Sequence, residues 1–209
     1  MKQPEPAGSG KAHLIVPDIT PLLHILGYLH PLSPEIEAYL KEHVTTCSTR
    51  KRKLILKEGA VCNYIYFLVK GAVRGFIREG QKDITTWIVI ENELVTSIFS
   101  LDNPAPSIEN IQALENCELL ALSFDSLNEL YDRFPEFNLV ARKLLQRYYA
   151  DAERRAFIAR LTKAENKYRH FLLLHQPLAN RIPLKYIASY LGMTLETLSR
   201  VRKKFTSRA

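Results

Sequence analysis

Residues Leu184 to Lys204 read LKYIASYLGMTLETLSRVRKK, and their spacing fits two short helices packed across a sharp turn. Ala188 is small where two helices would touch, and Gly192 follows four residues later, where the chain must reverse. Ile187, Leu191, Met193, Leu198 and Val201 fill the apolar positions around that corner, so the stretch predicts a helix-turn-helix. The second helix then leaves Leu195, Glu196, Ser199, Arg200, Lys203 and Lys204 pointing outward, with Thr194 at its cap.

That outer face has the chemistry of a double-stranded DNA reader. Arg200 offers a bidentate fork to the N7 and O6 of guanine, and Glu196 accepts from the N4 amine of cytosine. Ser199 bonds to a base edge or a phosphate, and residues 196, 199 and 200 share one helical face. Lys185, Arg202, Lys203 and Lys204 suit phosphates, which position a protein without telling sequences apart. The alternative role for Glu196 is a partner of the helix dipole behind the Thr194 cap.

Charge placement agrees. Residues 154–209 hold 13 Lys and Arg against two acids, Glu165 and Glu196, a net +11, whereas residues 1–153 hold 16 against 20, a net −4. A basic terminal block beside a mildly acidic body is the footprint of a polyanion-binding module attached to something else, although charge alone also fits a solvated surface. No run of about 18 apolar residues exists, and the start MKQPEPAGSGK lacks the apolar core of a secretory signal, so no membrane and a cytoplasmic location are expected. Cys47, Cys62 and Cys117 match no zinc or iron–sulfur spacing and read as reduced thiols. No P-loop, nucleophile–base spacing, metal-ligand pair or dinucleotide fingerprint is present, which argues against an enzyme.

Upstream, the first ten residues are rich in Pro, Gly and Ser, and residues 1–17 read as a disordered or extended segment. Residues 18–30 and 33–43 read as helices, the second capped by Ser33 with Pro34 and Glu35 in its first turn. From about Lys53 the segments LILKEGA, YIYFLVKGAVRGFIRE, ITTWIVI, LVTSIFS, IENIQAL and CELLALS are short, β-branched and aromatic. Gly59 and Gly71 mark tight turns among them, and the whole predicts an antiparallel barrel or sandwich of about 75 residues. A short helix over 126–134 ends at Pro135, and a long helix runs from Glu136 to about Leu161. On it Phe137, Val140, Leu144, Tyr148, Asp151, Arg155 and Ile158 recur at spacings of three and four, which predicts a homodimer seam. The alternative is a helix that packs only on its own barrel. A further helix with Tyr168, Phe171, Leu172 and His175 leads to a loop between Pro177 and Pro183, and His170 and His175 read as structural. The predicted organisation is thus a terminal segment (1–17), a barrel with flanking helices (18–134), a dimerisation helix (135–161) and a DNA-binding domain (162–209).

Barrel, long helix and helix-turn-helix in that order, with ETLSR at 196–200, resemble the Crp/Fnr family of bacterial transcription regulators, over about residues 20–204. RIPLKYIASYLGMTLETLSRVRKK is similar to the members found in Bacteroidetes-type bacteria. The resemblance implies an α+β fold with an N-terminal jelly-roll of the cyclic-nucleotide-binding kind, a dimerisation helix and a C-terminal helix-turn-helix. It implies a half-site similar to TTGA, with Leu195 against a thymine methyl, and it implies RNA polymerase and a small-molecule effector as partners. In relatives that bind cyclic AMP, a Glu opens the phosphate-binding segment and an Arg with Ser or Thr closes it; here Glu93 and Ser107 match, but Pro106 holds the Arg position. No Arg lies between 79 and 132, so a cyclic nucleotide is not expected, and no cofactor is expected in its place. The family's iron–sulfur cysteine group is missing, and His24, His30 and His43 read as structural rather than haem ligands. About five residues follow Lys204, so a β-hairpin wing is expected to be reduced or absent. A second reading, a ligand-sensing or protein-interaction module with degenerate DNA binding, stays open on the sequence.

Overall fold

The computed structural model describes residues 17–101 and 105–206. The expectation for the N-terminal segment therefore lies almost wholly outside the described residues. Two compact units make up the chain: Met1–Arg74 with Val89–Arg147, and Gly75–Ile88 with Tyr148–Ala209.

The first unit opens with helices α1 (Thr20–Leu29) and α2 (Pro34–His43). Ser33 caps α2, its hydroxyl accepting from the Ile36 amide at 3.4 Å, and Pro34 starts the helix where its missing N–H is harmless. Eight strands follow: β1 (Thr45–Thr49), β2 (Leu54–Leu56), β3 (Tyr64–Lys70), β4 (Ala72–Glu79), β5 (Lys82–Ile90), β6 (Leu94–Val95), β7 (Asn110–Ala113) and β8 (Cys117–Ser123). They order as β1-β8-β3-β6 and β2-β7-β4-β5, which is the strand order of a jelly-roll. β1 was not anticipated, because TTCST carries no large apolar residue to mark it. The segment LVTSIFS holds only the two-residue β6 and then a 3-10 turn, Ile98–Ser100, rather than a full strand.

The β3–β8 register explains why both strands read as continuous apolar runs. Phe67 pairs with Leu120 and Ile65 with Leu122 on one face, while Tyr66 pairs with Ala121 and Leu68 with Leu119 on the other. Both faces are buried. The first face joins Leu22 and Leu26 of α1, Ile36 and Leu40 of α2, Leu127 and Leu130 of α3 (Phe124–Arg133), and the first turn of α4 (Phe137–Arg160) in one core. α3 begins two residues earlier than expected because Ser123 caps it, accepting from the Ser126 amide at 3.0 Å. Between β3 and β4, Gly71 has φ +113°, and a Cβ there would lie 2.6 Å from Cys117 Sγ and 2.9 Å from the Asn116 carbonyl oxygen. Only glycine fits that turn.

The second unit contains the tip of the β4–β5 hairpin, the end of α4, and helices α5 (Ala164–His175), α6 (Leu184–Tyr190) and α7 (Leu195–Thr206). A Cβ on Gly75 of β4 would overlap the Trp87 indole of β5, so the bare glycine backbone is covered by the tryptophan. The loop predicted between Pro177 and Pro183 is largely a 3-10 turn, Gln176–Asn180. After Lys204, Phe205 and Thr206 continue α7, and residues 207–209 lie outside the described residues.

Candidate nucleic-acid interface

The reading pair is built from α6, its turn and α7. The Met193 amide donates to the Ala188 carbonyl at 3.0 Å and the Gly192 amide to the Ser189 carbonyl at 3.1 Å, with Gly192 at φ +60°. This is a Schellman turn, and it satisfies carbonyls that the end of α6 leaves without helical partners. Lys167 of α5 donates from Nζ to the Leu191 carbonyl at 3.1 Å, placing a cation at the negative end of α6. Thr194 then caps α7, its hydroxyl accepting from the Thr197 amide at 3.1 Å. Ile187, Ala188, Leu191, Leu198 and Val201 are all buried, as their spacing required, and Met193 is partly buried.

Behind the pair lies an aromatic core. Tyr168 of α5 meets Phe205 of α7 edge-on at 5.4 Å, and Phe171 meets Tyr190 of α6 at 5.9 Å. His175 packs between Phe171 and Tyr190, and burial pushes its pKa below the ordinary histidine value. His170 lies edge-on to Phe157. Both histidines pack against aromatic rings.

The predicted reading residues occupy one solvent-facing side. Glu196 and Arg200 are exposed, with Arg200 Nη2 donating to Glu196 Oε1 at 2.5 Å, and Leu195 and Ser199 flank them, exposed and partly buried respectively. The i,i+4 pair is worth only about 0.3–0.5 kcal/mol at such exposure, so it aligns the two side chains at little cost to a later base contact. Thr194 spends its hydroxyl on the cap. Of the proposed phosphate contacts, Lys203 and Lys185 are exposed, the latter with Nζ 4.9 Å from the centre of the Tyr186 ring. Lys204 pairs with Glu165 at 3.0 Å and holds that carboxyl below the usual glutamate range. Arg202 differs: Nη1 donates to the Ala179 carbonyl at 2.7 Å and Nη2 to Asn180 Oδ1 at 3.0 Å. It ties α7 to the preceding 3-10 turn, and sequence spacing gave no sign of that, since Asn180 is 22 residues away.

On α4 the predicted seam faces the chain itself. Phe137 and Val140 belong to the first unit's core and Leu144 packs against it; Ile158 is buried, and Tyr148, Asp151 and Arg155 are partly covered. The same three-four spacing marks any packed helical face, so periodicity selected the inward stripe. A second stripe, Leu145, Tyr149, Ala152, Ala156 and Ala159, repeats at four, three, four and three and is exposed, Leu145 at 53% and Tyr149 at 67%. Its alanines hid it from an apolar count.

The positions matched to the family's effector pocket are engaged internally. Arg147 of α4 donates from Nη2 to Glu93 Oε1 at 2.6 Å. Ser107 is buried, accepts from the Ser97 hydroxyl at 3.1 Å and donates to the Glu109 carbonyl at 2.9 Å. Pro106 bridges to Val61, and no Lys or Arg occurs from 93 to 107. Arg147 was missed because only the fold brings it 54 residues back to Glu93.

Comparison with known proteins agrees with this architecture. Residues 47–134 match the family model described as cyclic nucleotide-binding domain. The transcriptional activator protein FnrA of Stutzerimonas stutzeri is 24% identical over 168 residues, covering 75% of this chain and 68% of that protein. The structure of FixK2 from Bradyrhizobium japonicum superposes with a TM-score of 0.68 at 22% identity, covering 79% of this chain and 85% of that one. A Crp/Fnr-family regulator from Eubacterium rectale gives a TM-score of 0.68 at 14% identity, covering 88% of each chain. Residues 47–134 thus match a domain of the cyclic nucleotide-binding kind, and the jelly-roll strand order followed by the C-terminal helix pair is the fold that this chain shares with these regulators.

Proposed function

We propose that this chain is a homodimeric, sequence-specific DNA-binding transcription regulator that reads a TTGA-like half-site through Glu196, Ser199 and Arg200. The observation that carries the reading is the face of α7 itself. A Thr-capped helix, aimed by a Schellman turn, presents a carboxylate, a hydroxyl and a guanidinium together to solvent within a block of net charge +11. Arg200 takes guanine, Glu196 takes cytosine, and Lys185 and Lys203 take phosphates. Two copies joined along the Leu145–Tyr149–Ala152–Ala156 stripe of α4 would present two such faces to half-sites one helical turn apart, about 10–10.5 base pairs. RNA polymerase is the partner that a regulator of this kind would engage in the cytoplasm; no helix among the described residues is long and apolar enough to cross a membrane.

The jelly-roll is proposed as the sensor of a small-molecule effector. Its residues do not fit a cyclic phosphate held in the family's manner. Glu93 is already paired with Arg147, Ser107 is bonded to Ser97 and to the Glu109 carbonyl, and the segment between Glu93 and Ser107 supplies no cation.

The deciding experiment compares binding to a palindrome of TTGA-like half-sites with binding to random duplex at stated salt. Arg200→Ala should weaken specific binding by about 1–3 kcal/mol while sparing most non-specific binding. Equal loss on both duplexes would argue against base reading. Failure of the parent protein to bind either duplex would favour a sensing or protein-interaction module.

A further inference from the structure

Ser189 of α6 touches the β4–β5 hairpin inside the second unit. Its Oγ accepts from the Thr85 amide at 2.9 Å and donates to the Asp83 carbonyl at 3.0 Å. Those two backbone groups sit two residues apart on β5, the end strand of the order β2-β7-β4-β5. In a parallel pair, one residue of the neighbouring strand bonds to the carbonyl of residue i and the amide of residue i+2. A serine hydroxyl, donor and acceptor at once, reproduces that pairing from a helix. Thr85 is 3% exposed, so its side of the contact is buried, while the bond to Asp83 lies at the exposed edge. The hairpin that presents it is closed by Gly80 at φ +59° and by the Arg78–Asp83 ion pair at 3.5 Å.

The same residue also shapes the turn. The Ser189 carbonyl accepts the Gly192 amide in the Schellman motif that leads to Thr194 and α7. Side chain and backbone of one residue therefore hold the hairpin and aim the recognition helix. With this contact made, Glu196 and Arg200 remain open to solvent, their side chains 76% and 71% exposed. Among the described residues, none covers these two side chains.

We propose that Ser189 is a positioning residue for DNA reading: its hydroxyl latches the β4–β5 hairpin to the first helix of the pair, and the latched posture is the one that binds DNA. The inference rests on the DNA-binding function proposed above. β4 and β5 continue into the jelly-roll sheet, so the latch gives strand movements in the sensor a covalent route to the reader.

The test follows hydrogen exchange at the Thr85 amide in the full chain, with and without the TTGA-like palindrome, beside the affinity for that duplex. In the parent protein, DNA should slow Thr85 exchange, because a latch that favours binding must itself be favoured by it. Ser189→Ala should speed that exchange and weaken specific binding about threefold to tenfold, the range of one lost hydrogen bond. Ser189→Thr, which keeps the hydroxyl, should restore both. DNA binding that leaves Thr85 exchange unchanged or faster overturns the inference alone, as does a Ser189→Ala protein with fast exchange and undiminished affinity. Should Ser189→Ala fail to fold, the parent comparison decides by itself. A parent protein that binds no DNA removes the functional reading and this inference together.

Discussion

Leu145→Glu tests the exposed stripe of α4 as the dimer seam. Leu145 is 53% exposed in the single chain. Full burial of a leucine is worth about 1.5–3 kcal/mol, so a partner that covers the exposed part gains about 0.8–1.6 kcal/mol per copy. A two-fold seam uses the residue twice, which makes about 1.6–3.2 kcal/mol and a dimer dissociation constant raised about 15- to 200-fold. The fold of the single chain should hardly notice, since a solvent-facing helical position tolerates Glu within about 0.5 kcal/mol. Leu144→Glu is the control with the opposite signature. It buries a carboxylate against the first unit's core and should lower stability by about 1–3 kcal/mol. Sedimentation equilibrium gives the dissociation constant, and thermal unfolding in dilute solution gives the stability. An unchanged dimer constant in Leu145→Glu, or a loss of thermal stability equal to that of Leu144→Glu, would refute the assignment.

Two further outcomes follow from the geometry. Gly71→Ala should cost more than Gly192→Ala in denaturant unfolding. The first meets Cys117 and Asn116 inside 3 Å, whereas the second has only Lys167 Nζ at 3.7 Å and bears the left-handed backbone penalty alone, about 1–2 kcal/mol; the reverse ranking would contradict the packing at Gly71. Burial pushes the Cys47 and Cys117 thiols up to about 11, so iodoacetamide at pH 8 should leave both unmodified until the chain unfolds, as read by peptide mass spectrometry. Because these pKa values are raised in the fold, any stability the thiols add is present below the unfolded thiol range and is lost as pH rises through 11. Rapid native labelling of either cysteine at pH 8 would contradict their burial.

What the sequence made legible depended on whether the determining partner was local. The reading pair was legible because its constraints are local: Ala188 and Gly192 at a corner, Thr194 at a cap, apolar residues one turn apart. The jelly-roll was legible as a barrel because Gly71 and the β-branched runs announce strands and turns. β1 was not, since TTCST gains its place from pairing with β8, about 70 residues on. Arg202 reads as a phosphate contact, and the fold adds bonds to Ala179 and Asn180 that only the folded α7 creates. The α4 seam illustrates a different limit. Periodicity gives a helix two candidate stripes, and the more apolar one is whichever face has more to bury, which here is the chain's own core.

If the jelly-roll senses an effector and α4 carries the dimer seam, the rotational phase of α4 links the two, and the Arg147–Glu93 ion pair is placed to set it. At 100° per residue, Arg147 lies about 200° round the helix from Leu145 and only about 60° from Leu144. The Glu93 carboxylate and the Leu144 packing thus hold the same side of the helix, and the outward direction of Leu145 and Tyr149 follows. The pair is partly exposed, with side chains at 43% and 24%, so its coupling should be about 0.5–1 kcal/mol rather than the value of a buried bridge. A double-mutant cycle with Arg147→Gln and Glu93→Gln reads that coupling twice, once in unfolding and once in dimer affinity. If the pair sets the phase, both readings carry it, and Arg147→Gln weakens the dimer about two- to fivefold although it lies off the seam. A coupling present in unfolding and absent from dimer affinity would mean that the packing of Phe137, Val140 and Leu144 fixes the phase alone. An effector that competes for Glu93 would then have no leverage on the helix.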